Sequence, residues 1–166
     1  NVVFEGFTFQ GFASNRIGTT ADLESMLGLA GTNYNITIRN CRFLNAYSFG
    51  IGLPAGPGTQ NIRSRLVNIE NCYFFTNGTA TTTNEVPSVA RGAGILGAGD
   101  DWTVQGCTFE WCARDYEIVH GTASETYSGV RYLNNRSLSC ITIGLDWLTS
   151  TNCTDILIQG NSWTNM

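Results

Sequence analysis

The stretch N-I-T-I-R-N-C-R-F at residues 35–43 decides the fold, because its pattern recurs along the chain at intervals of about 30 residues. Apolar and polar residues alternate on both sides of a central residue, which is the pattern of short strands with one buried face. The central residue is Gly or Asn in every copy, and these two residues adopt a left-handed backbone most readily. The six copies therefore predict six sharp corners, at Gly6, Asn40, Asn71, Gly106, Asn134 and Gly160.

Aligning the copies on this corner places like residues in columns. The position three residues after the corner is aromatic in five copies and Ser137 in the fifth. Strand, corner, strand, loop and third strand then form one turn of a solenoid, and parallel stacking of such turns gives about six rungs. The third strands are predicted at 49–53, 93–97, 116–120 and 140–143, with the first rung's counterpart near Ile17. Helical spacing of Leu23, Met26 and Leu27 predicts one short helix in the loop at 20–29.

Residues 1–166 read as a single all-β domain. A solenoid needs polar caps, because its end rungs otherwise expose apolar faces and unpaired strand edges. No cap is evident at either end, so the sequence predicts a segment of a longer chain, or ends that neighbouring chains cover.

Composition excludes several classes of function. All nine basic residues are Arg, the net charge is −4 and no Arg cluster forms a basic stripe, so no nucleic-acid partner is expected. No apolar run is long enough to predict membrane insertion. The single His is not spaced to complete a zinc site with the cysteines, and no metal site is expected.

Six cysteines and several N-x-S/T triplets favour an extracellular, cell-surface or virion-surface setting. Cys112 and Cys140 fall in one column of neighbouring rungs and form the best disulfide candidate. The column of Cys41, Cys72 and Cys107 reads instead as buried thiols. Three of the four triplets are candidate glycosylation sites, at Asn35, Asn77 and Asn152, whereas Asn135 falls in the column that follows the corner.

The densest charged patch of the chain lies at 114–120. If Tyr116 and Ile118 point inward, Asp115 and Glu117 point outward on one strand face, where two carboxylates could act as acid and base on a glycosidic bond. The catalytic candidates are Asp115, Glu117 and His120. The candidates for contacting a substrate are Arg91, Trp111, Arg114, Tyr127, Arg131, Asp146 and Trp147. The alternative is that these charges only solvate one face of a rung.

The I-x-I-x-N-C-x-F repeat resembles the right-handed parallel β-helix of the pectate-lyase-like superfamily, over essentially the whole chain. That superfamily includes polysaccharide lyases, glycoside hydrolases, phage tailspikes and adhesins, so the resemblance implies a fold and not one function. It implies that the outer face of the third strand and its loops form a sugar-binding groove. A Lys base is excluded within this chain, whereas a lyase using Arg or His and bound Ca²⁺, or a hydrolase using two carboxylates, remains open.

Three functions follow as expectations. The first is a carbohydrate-facing module for adhesion or receptor binding, with a polysaccharide or glycan as its partner and no cofactor. The second is a polysaccharide lyase or glycoside hydrolase acting on an acidic polysaccharide. The third is a structural spacer in a trimeric spike.

Overall fold

Each copy of the repeat forms two short strands joined at the predicted corner. The structure is a computed structural model that describes residues 1–11, 25–29, 34–46, 49–52, 64–78, 92–97, 99–119, 127–141, 143–148 and 153–164. The strands of successive copies pair side by side and parallel, so they build three sheets that run along one axis. The chain is a parallel β-helix of about six rungs, as the sequence predicts.

The strands are numbered in chain order. The first sheet contains the strand before each corner, namely β1 (Val2–Glu5), β4 (Tyr34–Arg39), β7 (Arg65–Glu70), β10 (Trp102–Gln105), β13 (Tyr127–Leu133) and β16 (Cys153–Gln159). The second sheet contains the strand after each corner, namely β2 (Thr8–Gln10), β5 (Arg42–Leu44), β8 (Tyr73–Phe75), β11 (Thr108–Glu110), β14 (Arg136–Leu138) and β17 (Ser162–Thr164). The third sheet contains β3 (Ser25–Gly28), β6 (Phe49–Gly52), β9 (Ala93–Leu96), β12 (Arg114–Val119) and β15 (Ile143–Leu148).

Two local predictions are wrong. The segment Ser25–Gly28 of the expected helix is strand β3, which pairs with β6 and is the third strand of the first rung that was predicted near Ile17. Two consecutive apolar residues with a glycine fit a buried strand as well as a helix, and pairing with a neighbouring rung decides between them. The last third strand begins at Ile143 rather than at Cys140. No helix in the described part of the chain could cross a membrane.

The columns have the register that the alignment predicts, including the two divergent copies at the end. Ile38 pairs with Ile69, and Ser137 pairs with both Phe109 and Trp163. Left-handed backbone occurs at every predicted corner, and the corner amide of each of the first five rungs donates to the next rung. In the four middle rungs it also recurs five residues before the corner and five residues after it, so each of these rungs bends at three defined points.

Aromatic stacking fills the interior beside the second sheet. The ring centroids of Phe9, Phe43, Phe74 and Phe109 follow one another at 4.9, 5.0 and 4.8 Å, close to the spacing of the rungs themselves. Phe43, Phe74 and Phe109 are fully buried. Burying each ring contributes about 1.5–3 kcal/mol, and each stacked pair adds about 0.5–1.5 kcal/mol. This column fixes the rungs in register.

Candidate functional site

Asp115 lies inside the β-helix, and the expectation that it points outward with Glu117 is wrong. Its side chain has no exposed surface. In the register of the third sheet, Tyr116 pairs with Ile95 and Leu145, which places Asp115 level with Gly94 and Gly144. The alternation on β12 is therefore not the strict one assumed from the sequence.

The glycine column explains why this position faces the interior. A Cβ atom at Gly94 would lie 2.8 Å from the Phe109 ring, so only glycine fits beside that ring. A Cβ atom at Gly144 would likewise collide with the Trp163 ring. Between these two rungs the aromatic residue is replaced by Ser137, and the glycine is replaced by Asp115.

The carboxyl group of Asp115 has a raised pKa. Burial raises it from 3.8 to about 7, while the Ser137 hydroxyl and the Cys140 thiol lower it by facing the carboxylate. Within the described part of the chain, neither carboxylate oxygen makes a hydrogen bond of good geometry, and neither does the Ser137 hydroxyl. Asp115 is thus a buried acid that favours its neutral form.

Glu117 is nearly buried and is held by an ion pair. Its Oε2 atom accepts a hydrogen bond of 2.8 Å from the Arg114 guanidinium. In the parallel pairing of β12 with β15, Glu117 is level with Asp146. The side chains of Tyr127, Asp146 and Trp147 lie outside the described residues, as do His120 and Arg91 entirely. The structure therefore brings Arg114 and Glu117 together but leaves Asp115 on the interior side.

Arg131 is placed on a different sheet from Glu117. It lies on β13 in the first sheet, where it pairs with Asp155 of the next rung at 2.9 Å. A similar pair joins Arg39 to Glu5 on the same sheet. Both pairs are exposed, so each stabilises the fold only weakly. Arg131 thus lies on a different sheet from the Arg114–Glu117 ion pair.

The expected Cys112–Cys140 disulfide is not formed. Neither cysteine is in a disulfide; both are buried, and the Cys112 thiol faces the Phe74 carbonyl of the preceding rung as the Cys140 thiol faces the Ala113 carbonyl. Cys41, Cys72 and Cys107 are likewise buried and not in a disulfide, as expected. Burial raises the pKa of the Cys107 thiol well above its ordinary value, which keeps it protonated.

Two buried asparagines take positions that cysteines occupy in other rungs. Asn77 is fully buried, accepts a hydrogen bond from the Ala46 amide at 2.9 Å and donates to the Phe43 carbonyl at 3.0 Å. A glycan would be attached through that donating nitrogen, so the glycosylation prediction at Asn77 is wrong. Asn135 bridges two rungs in the same way. Asn35 is half-buried, and Asn152 lies outside the described residues.

The outer side of the second sheet carries a group that the sequence reasoning overlooked. Tyr73 and Phe75 both face outward from β8, with ring centroids 6.2 Å apart and rings 18° from parallel. The Tyr73 hydroxyl donates to Glu110 at 2.6 Å, and the Arg42 guanidinium lies 5.5 Å from the centre of the Tyr73 ring. We call Arg42, Tyr73, Phe75, Glu110 and Trp111 the aromatic face.

Trp111 borders this face directly after β11. It is 52% exposed and has a left-handed backbone with φ of 54°. The same left-handed bend holds Asn45, Thr76 and Ser139 in the other rungs, so it belongs to the scaffold and fixes where Trp111 leaves β11. The outward positions two and four residues after each corner would have revealed Tyr73 and Phe75, had the repeat been searched for its exposed columns as well as its buried ones.

No metal centre is formed among the described residues, where no three His, Cys, Asp or Glu side chains come together. Comparison of the chain with protein-family models, with curated proteins and with solved structures finds no match in any of the three. The geometry of the chain itself must therefore carry any functional conclusion.

Proposed function

We propose that this chain is a carbohydrate-binding module of an extracellular, cell-surface or virion-surface protein, and that the glycan docks on the aromatic face. The observation that carries the proposal is the outward ring pair of Tyr73 and Phe75, which adjoins Glu110 and is followed in the chain by the exposed Trp111. The asparagine corners and stacked columns support placing the fold with the pectate-lyase-like β-helices.

The chemistry of the aromatic face suits a sugar. Aromatic rings offer flat apolar surface for the C–H faces of a pyranose, and Tyr and Trp add a polar atom at the edge. Arg42 and Glu110 lie beside the rings and supply a donor and an acceptor for hydroxyl groups. Polar groups placed around an apolar platform fix the orientation of a ligand.

A protein partner fits this face less well. The core of a stable protein interface is depleted of charged residues, whereas Arg42 and Glu110 both lie next to the Tyr73 ring. The enzyme hypothesis gains no support from Asp115, because that carboxyl group is buried in the interior. Glu117 remains as a carboxylate near the surface, bound to Arg114.

Binding to a panel of neutral and uronate-containing oligosaccharides, followed by calorimetry on each hit, tests the proposal. Trp111→Ala and Tyr73→Ala should weaken binding about tenfold or more, which is the effect of losing about 1.4 kcal/mol. Tyr34→Ala is the matched control, because Tyr34 is an exposed aromatic residue on the first sheet, away from the aromatic face. It should leave the affinity unchanged.

Three results would contradict the proposal. Binding that survives both substitutions would place the glycan elsewhere. New reducing ends or unsaturated uronate in the reaction, with or without Ca²⁺, would indicate an enzyme. No glycan binding together with a defined trimer in light scattering would indicate a spacer.

A further inference from the structure

The interior between the fourth and fifth rungs is polar at the level where the rungs before it stack aromatic rings. Asp115 on β12 faces Ser137 on β14. The Tyr132 hydroxyl of β13 is buried nearby and, like Ser137, has no hydrogen-bond partner among the described residues. Cys112 and Cys140, which follow β11 and β14, complete what we call the polar cluster.

We propose that the polar cluster is a pH-operated latch: with Asp115 neutral the two rungs close on a dry interior, and with Asp115 ionised they open to water. This inference is independent of the glycan-binding proposal. It depends on a carboxyl group that replaces a glycine in the interior column and has no exposed surface.

Among the described residues, the neighbours of Asp115 stabilise its charge only in part. Ser137 and Cys140 offer one weak donor each, which offsets only part of the cost of burial. The other titratable groups of the cluster, Tyr132 and Cys112, are themselves acids, and the charge of Asp115 contributes to raising the pKa of both. Arg114, the cation adjacent in sequence, is paired with Glu117. An uncompensated carboxylate in such a site either stays protonated or draws in water.

The direction of the pH effect follows from linkage. The pKa of Asp115 is raised from 3.8 to about 7 in the folded chain, so the folded state holds a proton that the unfolded state has already released. The stabilisation is complete below pH 3.8 and is lost as the pH rises through about 7. The latch therefore closes in acid and loosens near neutrality.

Hydrogen exchange of the intact chain, read by mass spectrometry at about pH 5 and about pH 8.5 and corrected for the intrinsic rate, tests the latch. Protection at 114–119 and 136–138 should fall about tenfold or more between the two conditions. Protection at 36–39 and 67–70 should not change. Asp115→Asn should remove the difference between the two pH values, and Asp115→Gly, which restores the residue of the adjacent rungs, serves if Asp115→Asn does not fold.

Asp155→Asn is the matched control, since it makes the same Asp-to-Asn exchange at an exposed carboxylate on the first sheet. It should keep the pH response of the unaltered chain. The latch is refuted if the unaltered chain is equally protected at both pH values. It is also refuted if the Asp115 variants show the same loss.

Discussion

Asp115 and Ser137 face each other where the adjacent rungs pair a glycine with an aromatic ring. At Gly94 a side chain would collide with Phe109, and at Gly144 it would collide with Trp163. Loss of the ring at Ser137 makes room, and the Asp115 side chain occupies it. Compared with the adjacent pairs, Asp115 replaces a glycine and Ser137 replaces an aromatic residue. The two polar side chains together have about the size of the ring that is lost.

This exchange predicts strong coupling between the two positions. Ser137→Phe alone should cost about 2–4 kcal/mol of the free energy of unfolding, because the ring overlaps Asp115. Adding Asp115→Gly restores the pair found in the neighbouring rungs and should recover about 2 kcal/mol or more, as measured by a double-mutant cycle in urea near pH 5. Ser137→Phe combined with Glu110→Gln should show no such recovery. Costs that simply add in the first pair would contradict the prediction.

Asn135 should be among the most sensitive polar residues of the chain. It accepts a hydrogen bond from the Cys107 amide at 2.9 Å and donates one to the Val104 carbonyl at 3.0 Å, and it is almost fully buried. Asn135→Ala leaves both backbone groups unsatisfied in the interior and should cost about 2–4 kcal/mol in urea unfolding.

Asn161 provides the comparison for that measurement. It makes the same two bonds one rung later, to the Asn135 amide and the Tyr132 carbonyl, but water reaches it. Asn161→Ala should therefore cost less than half as much. Equal costs for the two substitutions would show that burial does not govern the effect.

Thr76 offers a stabilising substitution. It holds the left-handed corner five residues after Asn71, with φ of 51°, although its side chain is β-branched. Asn45 holds the equivalent corner one rung earlier, and asparagine tolerates this conformation far better. Thr76→Asn should raise the free energy of unfolding by roughly 1 kcal/mol, read from the urea midpoint. Asn45→Thr is the reverse exchange and should lower it; a loss in the first variant would contradict the argument.

Tyr73 should lose its phenolic proton at a higher pH than an ordinary tyrosine does. Partial burial and the hydrogen bond to Glu110, together with the negative charge of that carboxylate, raise its pKa from 10.0 to about 12. The unfolded chain releases this proton first, so the contribution of Tyr73 to stability is present below pH 10 and is lost as the pH rises toward 12.

Ultraviolet absorbance of the phenolate locates this transition in the difference between the unaltered chain and Tyr73→Phe. Glu110→Gln should move the Tyr73 transition to lower pH, because it removes the charge and weakens the bond. A Tyr73 transition near pH 10 in the unaltered chain would show that the bond to Glu110 does not form.

The strands and corners of the scaffold could be predicted from the sequence, because each copy of the repeat specifies the same arrangement. The corner column, the Phe column and the register of the divergent copies all follow from aligning Gly6 through Gly160, and each rung repeats the same physical requirement. Strand β3 could not be recognised in this way, because Ser25–Gly28 belongs to the most divergent part of the rung.

The site was harder to foresee because it depends on departures from the repeat. Strict alternation around Tyr116 placed Asp115 outside, whereas the register with Gly94 and Gly144 places it inside, facing Ser137. In the sequence, only Ser137 in place of an aromatic residue indicates that Asp115 faces the interior. Recognising it requires comparing the aromatic column of the second sheet with the glycine column of the third. Cys112 and Cys140 share a column, but a common column does not fix where two sulfur atoms point.

In the four middle rungs the three left-handed points stand at fixed distances from one another, five residues on either side of the corner. All variation in rung length consequently falls outside that span, in the connections to and from the third sheet. The segment between the two outer left-handed residues therefore has a constant length. Loops of different lengths can be inserted between one such segment and the next. Duplicating one whole unit would lengthen the helix by about 4.8 Å without altering a single existing contact within the neighbouring spans.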